Sequence, residues 1–143
     1  MVFGTFDIIH PGHAYLLTEA KKLGDYLVVI IARDQTVKEV KGRGPQNDEN
    51  SRLKNISDLN IADKVILGNI SDKYQVIKEE KPDIILLTNS PKVNLERIFQ
   101  SWKPQQVVVD ATNYKTYIKV WRETCRKEKI PFHDTSEKGF YKL

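Results

Sequence analysis

Two histidines three positions apart, His10 and His13, bracket a Pro-Gly pair in the string Gly4-Thr5-Phe6-Asp7-Ile8-Ile9-His10-Pro11-Gly12-His13. Pro11 suits the first position of a helix, where its missing N–H costs nothing. A helix that begins there directs free backbone amides and its positive dipole end at whatever lies beyond it, which favours an anion. Two imidazoles converging on that point can donate hydrogen bonds to phosphate oxygens as negative charge builds on them. Gly4 and Gly12 would let the backbone approach a phosphate closely. A lone histidine beside a loop is ordinarily a solvated or core residue. The full string is far more specific, and its physics suits a nucleoside triphosphate.

The elements that must position this string follow from the pattern around it. Residues 2–5 are a short apolar run, and residues 14–23 place Leu16, Leu17, Ala20 and Leu23 at helical spacing before Gly24 ends the helix. Residues 26–32 are largely β-branched and apolar, as in a strand buried on both faces of a parallel sheet. The polar stretch 33–50, with Gly42, Gly44 and Pro45, reads as mostly loop after one helical turn. A helix over 51–59, a strand over 64–67, a helix over 72–80 capped by Ser71 and a strand over 83–87 come next. Asn94 can cap a helix carrying Leu95, Ile98, Phe99 and Trp102 on one stripe, ahead of a strand over 106–109. Asn113 can cap the longest helix, whose apolar stripe is Tyr114, Tyr117, Ile118, Trp121 and Cys125. Residues 130–133 and 140–143 are expected to close as a strand pair around a turn at 137–139. Repeated βα units specify one α/β domain with a mainly parallel sheet and helices on both faces. Ligands of such sheets bind beyond the carboxyl ends of the strands, where residues 4–13 fall.

Composition narrows the functions further. With 143 residues, 40% hydrophobic and 29% charged, the chain fits a single soluble domain. Cys125 is the only cysteine, which excludes an internal disulfide and any multi-cysteine metal cage. The longest apolar runs are far short of the ~20 residues a membrane span needs, so no membrane partner is expected. No basic-then-apolar leader is present, so a cytoplasmic location is expected. Charge is uneven: residues 1–87 hold 12 basic and 13 acidic side chains, residues 88–143 hold 11 and 6. Lys115, Lys119, Arg122 and Arg126 form a basic stripe on the longest helix. Such stripes can track nucleic-acid phosphates but are ordinarily a solvated helix face, so nucleic acid is not the expected partner. Trp102, Trp121 and neighbouring tyrosines are candidates for a homodimer interface.

The string at 4–13 resembles the signature of the cytidylyltransferase-like nucleotidyltransferases, the family of glycerol-3-phosphate cytidylyltransferase and archaeal-type FAD synthetase. The resemblance continues through Leu23-Gly24-Asp25-Tyr26-Leu27-Val28-Val29, Ala32-Arg33-Asp34, Val40-Lys41-Gly42-Arg43, Arg52, Asp63-Lys64-Val65 and Pro82-Asp83-Ile84-Ile85, covering residues 2–87. It implies a Rossmann-like three-layer α/β/α sandwich and a CTP or ATP substrate carried with Mg²⁺, with no metal ligand from the protein. It also implies in-line attack by the phosphate of a small-molecule acceptor on the α-phosphorus. By position, His10, His13, Lys41 and Arg52 would be the catalytic residues. Gly4, Thr5, Phe6, Asp7, Gly12 and Arg43 would bind the nucleotide. Lys41 and Arg43 otherwise belong to a solvated loop, and Asp34 is open between a ribose or metal contact and a helix cap.

The resemblance weakens after Leu87. The family's Gly-x-Asp turn and its later Arg-Thr-Glu-Gly-Ile-Ser-Thr-like segment have no counterpart in Thr88-Asn89-Ser90-Pro91-Lys92 or in Asp134-Thr135-Ser136-Glu137-Lys138-Gly139. Residues 88–143 instead resemble the carboxyl end of the metallo-β-lactamase-like domain of ComEC-type DNA-uptake proteins. The carriers of that likeness are residues 102–110, 121–125, Pro131-Phe132-His133-Asp134-Thr135 and Gly139-Phe140-Tyr141, without that superfamily's metal-ligand clusters. His133 therefore reads as a strand residue. The two likenesses suggest a chimera joined near residues 87–88. The expected function is a nucleotidyltransferase; the alternative is a recombined or engineered binding scaffold without turnover.

Overall fold

Short aliphatic runs supply six strands: β1 (Val2–Gly4), β2 (Val28–Ile31), β3 (Lys64–Leu67), β4 (Ile84–Leu87), β5 (Gln106–Val109) and β6 (Phe132–Asp134). In the computed structural model, which describes residues 1–70 and 74–139, they pair in the order β3-β2-β1-β4-β5-β6. Every pairing is parallel. The order reverses between β1 and β4, which opens a crevice beyond the carboxyl ends of those two strands. Six helices lie between the strands and a seventh follows β6 among the described residues: α1 (Pro11–Lys21), α2 (Asp34–Lys41), α3 (Glu49–Ser57), α4 (Gln75–Glu80), α5 (Leu95–Phe99), α6 (Lys115–Lys127) and α7 (Thr135–Lys138).

Side chains alternate across the strands and build two cores. Phe3, Ile30, Leu87 and Val109 face Ile77 of α4, Leu95 and Ile98 of α5, and Trp121 and Cys125 of α6. Val2, Val29, Ile31, Leu86 and Val108 face the opposite side, where Leu17 of α1 and Ile56 of α3 pack. Each buried Leu, Ile or Val contributes about 1.5–3 kcal/mol relative to exposure. The three-layer Rossmann-like α/β/α sandwich is thus the fold of the chain, and the strands 64–67 and 106–109 fall where their patterns place them.

Several local readings are corrected. The 33–50 stretch contains the two-turn helix α2, whose one buried side chain, Val37, is too weak a stripe to announce it. Gly42 ends that helix in the left-handed region at φ 71°. Asp48 starts α3 two residues early by accepting from the Asn50 and Ser51 amides. Asn113 does not cap α6: Tyr114 holds that position, and Asn113 is buried in loop contacts described below. Residues 135–138 are a short helix capped by Asp134, not a strand-pair turn. The expected Ser71 cap, the start of the 72–80 helix and the expected strand 140–143 lie outside the described residues. Trp121 is buried and Trp102 half-buried, their indole N–H groups bonded to the Val93 and Pro82 carbonyls. His133 is a β6 strand residue, and Arg122 of the basic stripe is paired with Asp134 and Glu137. Among the described residues no helix is long and apolar enough to cross a membrane.

Candidate functional site

The turn from β1 into α1 is shaped by rings. Phe6 takes a left-handed backbone conformation at φ 50°, and its buried ring lies over Gly4. A Cβ on Gly4 would stand 2.5 Å from Phe6 Cε2. Gly4 therefore makes room for Phe6, and it is not among the residues that line the cleft. Gly12 does the same for His10, whose ring would lie 3.0 Å from a Cβ there. Pro11 opens α1 as expected, and His10 occupies the extended N-cap position without a side-chain capping bond. The His10 and His13 rings are stacked with centroids 3.9 Å apart, and Phe6 meets His13 edge-on at 5.3 Å. Burial, and next the neighbouring His10, lower the His13 pKa below its ordinary value. His13 Nδ1 is buried with no partner among the described residues, which leaves Nε2 as the nitrogen able to meet a ligand.

Asp7 fastens a second loop to this turn. Its carboxylate accepts from the Gln46 and Asn47 amides at 2.8 Å each, while the Asn47 side chain donates to the Asp7 carbonyl at 2.7 Å. Burial acts to raise the Asp7 pKa, but these hydrogen bonds outweigh it and hold the carboxyl below its usual range. The fastened loop leaves Lys41 and Arg43 exposed on the rim of the cleft.

Arg52 departs from its expected role. It is fully buried, and its guanidinium donates to the carbonyls of Asn47, Thr5 and Ala32 at 3.0, 2.6 and 2.7 Å and to Asp34 Oδ1 at 2.6 Å. Those donors are spent inside the protein, beneath the phosphate turn, and Arg52 does not line the cleft. Asp34 also accepts from the Glu49 amide at 3.2 Å, so it ties α2 to α3, while Arg33 and not Asp34 holds the N-cap position of α2.

The cleft itself has a volume of about 1130 Å³. Leu86 and Val108 form its floor; Thr5, Phe6, Asp7, His10, Gly12, His13, Lys41 and Arg43 line one side. The other side comes from residues past β4, β5 and β6: Asn89, Asp110, Thr112, Thr135 and Gly139. Sequence reasoning missed this wall. Its hub is Asn113, which donates to the Leu87 and Asp110 carbonyls at 2.7 and 3.0 Å and accepts from the Ser90 amide at 2.7 Å. Asn89 and Ser90 sit in the left-handed region, φ 56° and 53°, in the turn so held. The available signal was the Asp110-Ala111-Thr112-Asn113 turn directly after a buried strand, a composition that bonds its own backbone.

This is an α/β protein whose anion-favouring helix start faces the crevice of its sheet. The chain matches the family model described as ComEC C-terminal domain over residues 4–143. It is 52% identical over 87 residues to an FAD synthase of Thermoplasma volcanium, covering 61% of each chain and so less than two thirds of that relative. It is 37% identical over 117 residues to an FAD synthase of Aciduliprofundum boonei, covering 82% of this chain and 78% of that one. Among solved structures, a lipopolysaccharide core biosynthesis protein from Thermoplasma volcanium superposes with a TM-score of 0.61 at 36% identity, covering 94% of this chain and 92% of that chain. The chain belongs to the ComEC C-terminal domain family by its model and, with these FAD synthases, to the cytidylyltransferase-like nucleotidyltransferases. The family-model match and the 117-residue match both cross residue 87, whereas the 52% match is 87 residues long.

Proposed function

We propose that the cleft binds ATP carried with Mg²⁺ and transfers its adenylyl group to a phosphate-bearing acceptor of the flavin mononucleotide type. The stacked His10–His13 pair at the start of α1, facing the cleft, carries this reading. FAD joins an adenylyl group to a flavin phosphate, so the FAD synthase relatives favour ATP over CTP. Among the described residues no group of three or more His, Cys, Asp or Glu could hold a metal, and both Asp7 oxygens are taken by amides. In this reading Mg²⁺ arrives with the substrate, where it neutralises phosphate charge.

In this reading an acceptor phosphate oxygen attacks the α-phosphorus. The bond from that phosphorus to the β-phosphate bridging oxygen breaks as the new P–O bond forms, and pyrophosphate leaves without a covalent enzyme intermediate. His13, neutral at pH 7 because of its lowered pKa, donates from Nε2 to an oxygen of the transferring phosphate. His10 does so toward the leaving group, with the free amides of α1 behind both. Lys41 and Arg43 hold the β- and γ-phosphates from the rim, and Thr5 and Gly12 border the phosphate turn. Arg52 and Asp7 keep that turn and the basic loop in place.

The test is pyrophosphate release from ATP in the presence of flavin mononucleotide. His13→Ala is expected to lower the rate about 10²- to 10³-fold, the usual effect of losing a charge-stabilising donor. Release unaffected by His10→Ala and His13→Ala refutes the reading. A binding domain without turnover is the second reading, favoured by the wall past β4, β5 and β6, which contributes no cation to the cleft among the described residues. Calorimetric ATP binding without pyrophosphate release supports that alternative.

A further inference from the structure

Asp110 stands at the end of β5 in the cleft wall that sequence reasoning missed. Three donors converge on one of its oxygens: the Thr112 hydroxyl at 2.5 Å, the Thr112 amide at 3.1 Å and the Asn113 side chain at 3.0 Å all meet Oδ1. The donors are themselves fixed. Asn113 is buried and bonded to three loop backbone groups, and the Thr112 hydroxyl accepts from the Asn89 amide at 2.7 Å. The carboxylate is thus held in one orientation, and Oδ2 has no partner among the described residues. A carboxylate held in one orientation, with one oxygen satisfied and the other open to the cleft, is placed to accept from a donor on a ligand there. Burial raises the Asp110 pKa above the usual carboxylate value.

Position says which part of a ligand meets it. β4 lies between β1 and β5, so Asp110 is two strand spacings from the end of β1, about 10 Å. That is comparable to the reach from a nucleotide's α-phosphate to its base. The surrounding wall is Asn89, Thr112, Thr135 and Gly139, without a cation among the described residues, and a phosphate beside Asp110 would be repelled.

We propose that Asp110 is a specificity-determining residue whose Oδ2 accepts a hydrogen bond from the exocyclic amine of the bound nucleobase. It rests on the reading that a nucleotide occupies this cleft with its phosphates at the histidine pair. The site selects an amino-bearing base and penalises a base whose edge offers only acceptors or a C–H.

The experiment is calorimetric titration of the whole chain, with Mg²⁺, using ATP, purine riboside 5′-triphosphate (which lacks only the 6-amino group) and 2′-deoxy-ATP. The wild type is expected to bind ATP about ten- to a hundredfold more tightly than the purine riboside analogue, the range for a hydrogen bond to a charged group. Asp110→Asn keeps an oxygen for Thr112 and Asn113 but presents an amide N–H where Oδ2 stood. It should abolish that preference while the ratio of ATP to 2′-deoxy-ATP stays at its wild-type value. Equal wild-type affinity for ATP and the 6-unsubstituted analogue overturns the proposal, and needs no variant to fold. So does an Asp110→Asn effect confined to the 2′-hydroxyl ratio, which would assign Oδ2 to the ribose. If ATP does not bind at all, the nucleotide reading falls and the proposal falls with it.

Discussion

Replacing Arg52 with Met separates a residue that builds the phosphate turn from residues that touch the phosphate. The side chain is 0% exposed and gives four hydrogen bonds, three of them to the backbone carbonyls of Thr5, Ala32 and Asn47. Met has a similar length but no donor, so those acceptors are orphaned under the β1–α1 turn. Each orphaned acceptor costs about 1–3 kcal/mol, less when the group relaxes toward water. The ion pair adds little, because Asp34 is 39% exposed and screened. A total of about 3–5 kcal/mol is consistent with breaking one member of a buried charged network. For a chain of this size that corresponds to a melting-temperature drop of roughly 10–20 °C. Thermal unfolding followed by circular dichroism measures it. Arg52→Lys should recover only a minor part, because one ammonium cannot span the guanidinium's four acceptors. Lys41→Ala and Arg43→Ala, both exposed, should stay within about 0.5 kcal/mol of wild type while weakening ATP binding. An Arg52→Met protein that melts like wild type but no longer binds ATP would refute the reasoning and put the guanidinium on the phosphate.

Three further outcomes follow from the same turn. Gly4→Ala places a Cβ 2.5 Å from the buried Phe6 ring and should destabilise by about 1–3 kcal/mol, an effect relieved by Phe6→Leu in a double-mutant cycle. Asp7 has a depressed folded-state pKa, so its contribution is present above the unfolded value near 3.9 and is lost as pH falls through the folded one. Asp7→Asn should therefore be less stable at pH 7 and show a shallower loss below about pH 4 in acid melts. The lowered His13 pKa acts in the opposite chemical sense, since the fold disfavours imidazolium: a stability penalty sets in as pH falls through about 6.5 and is complete below the folded-state pKa. His13→Gln should remove that component of the pH–stability profile, and an unchanged profile would contradict the buried, neutral imidazole.

Much of the fold was legible because both faces of the sheet are covered. Buried parallel strands such as Val28–Ile31 and Gln106–Val109 must be near-continuous aliphatic runs, and those announce themselves. Helix α2 did not, since only Val37 anchors it and its remaining turns are solvated. The histidine pair was legible because Pro11 fixes where the helix starts, and spacing then puts both rings at its mouth. The roles of Gly4 and Arg52 were not, because they depend on a ring and on carbonyls supplied from elsewhere in the fold. Arg52 meets Thr5, 47 positions away, and no local pattern encodes that contact. The Asp110 wall stayed hidden for a related reason: Asn113 looked like a helix cap, and only the packing of the β4 and β5 loops against each other shows it as their joint.

The claim that the nucleotide's phosphates meet the histidine pair is tested most directly by imidazole ¹⁵N–¹H correlation spectra of the whole chain, titrated with Mg²⁺ and an ATP analogue that cannot be cleaved between the α- and β-phosphates. His13 Nε2 and the His10 ring should shift together and saturate with one stoichiometric site. Saturable binding of the analogue that leaves both His10 and His13 resonances unmoved would contradict the account.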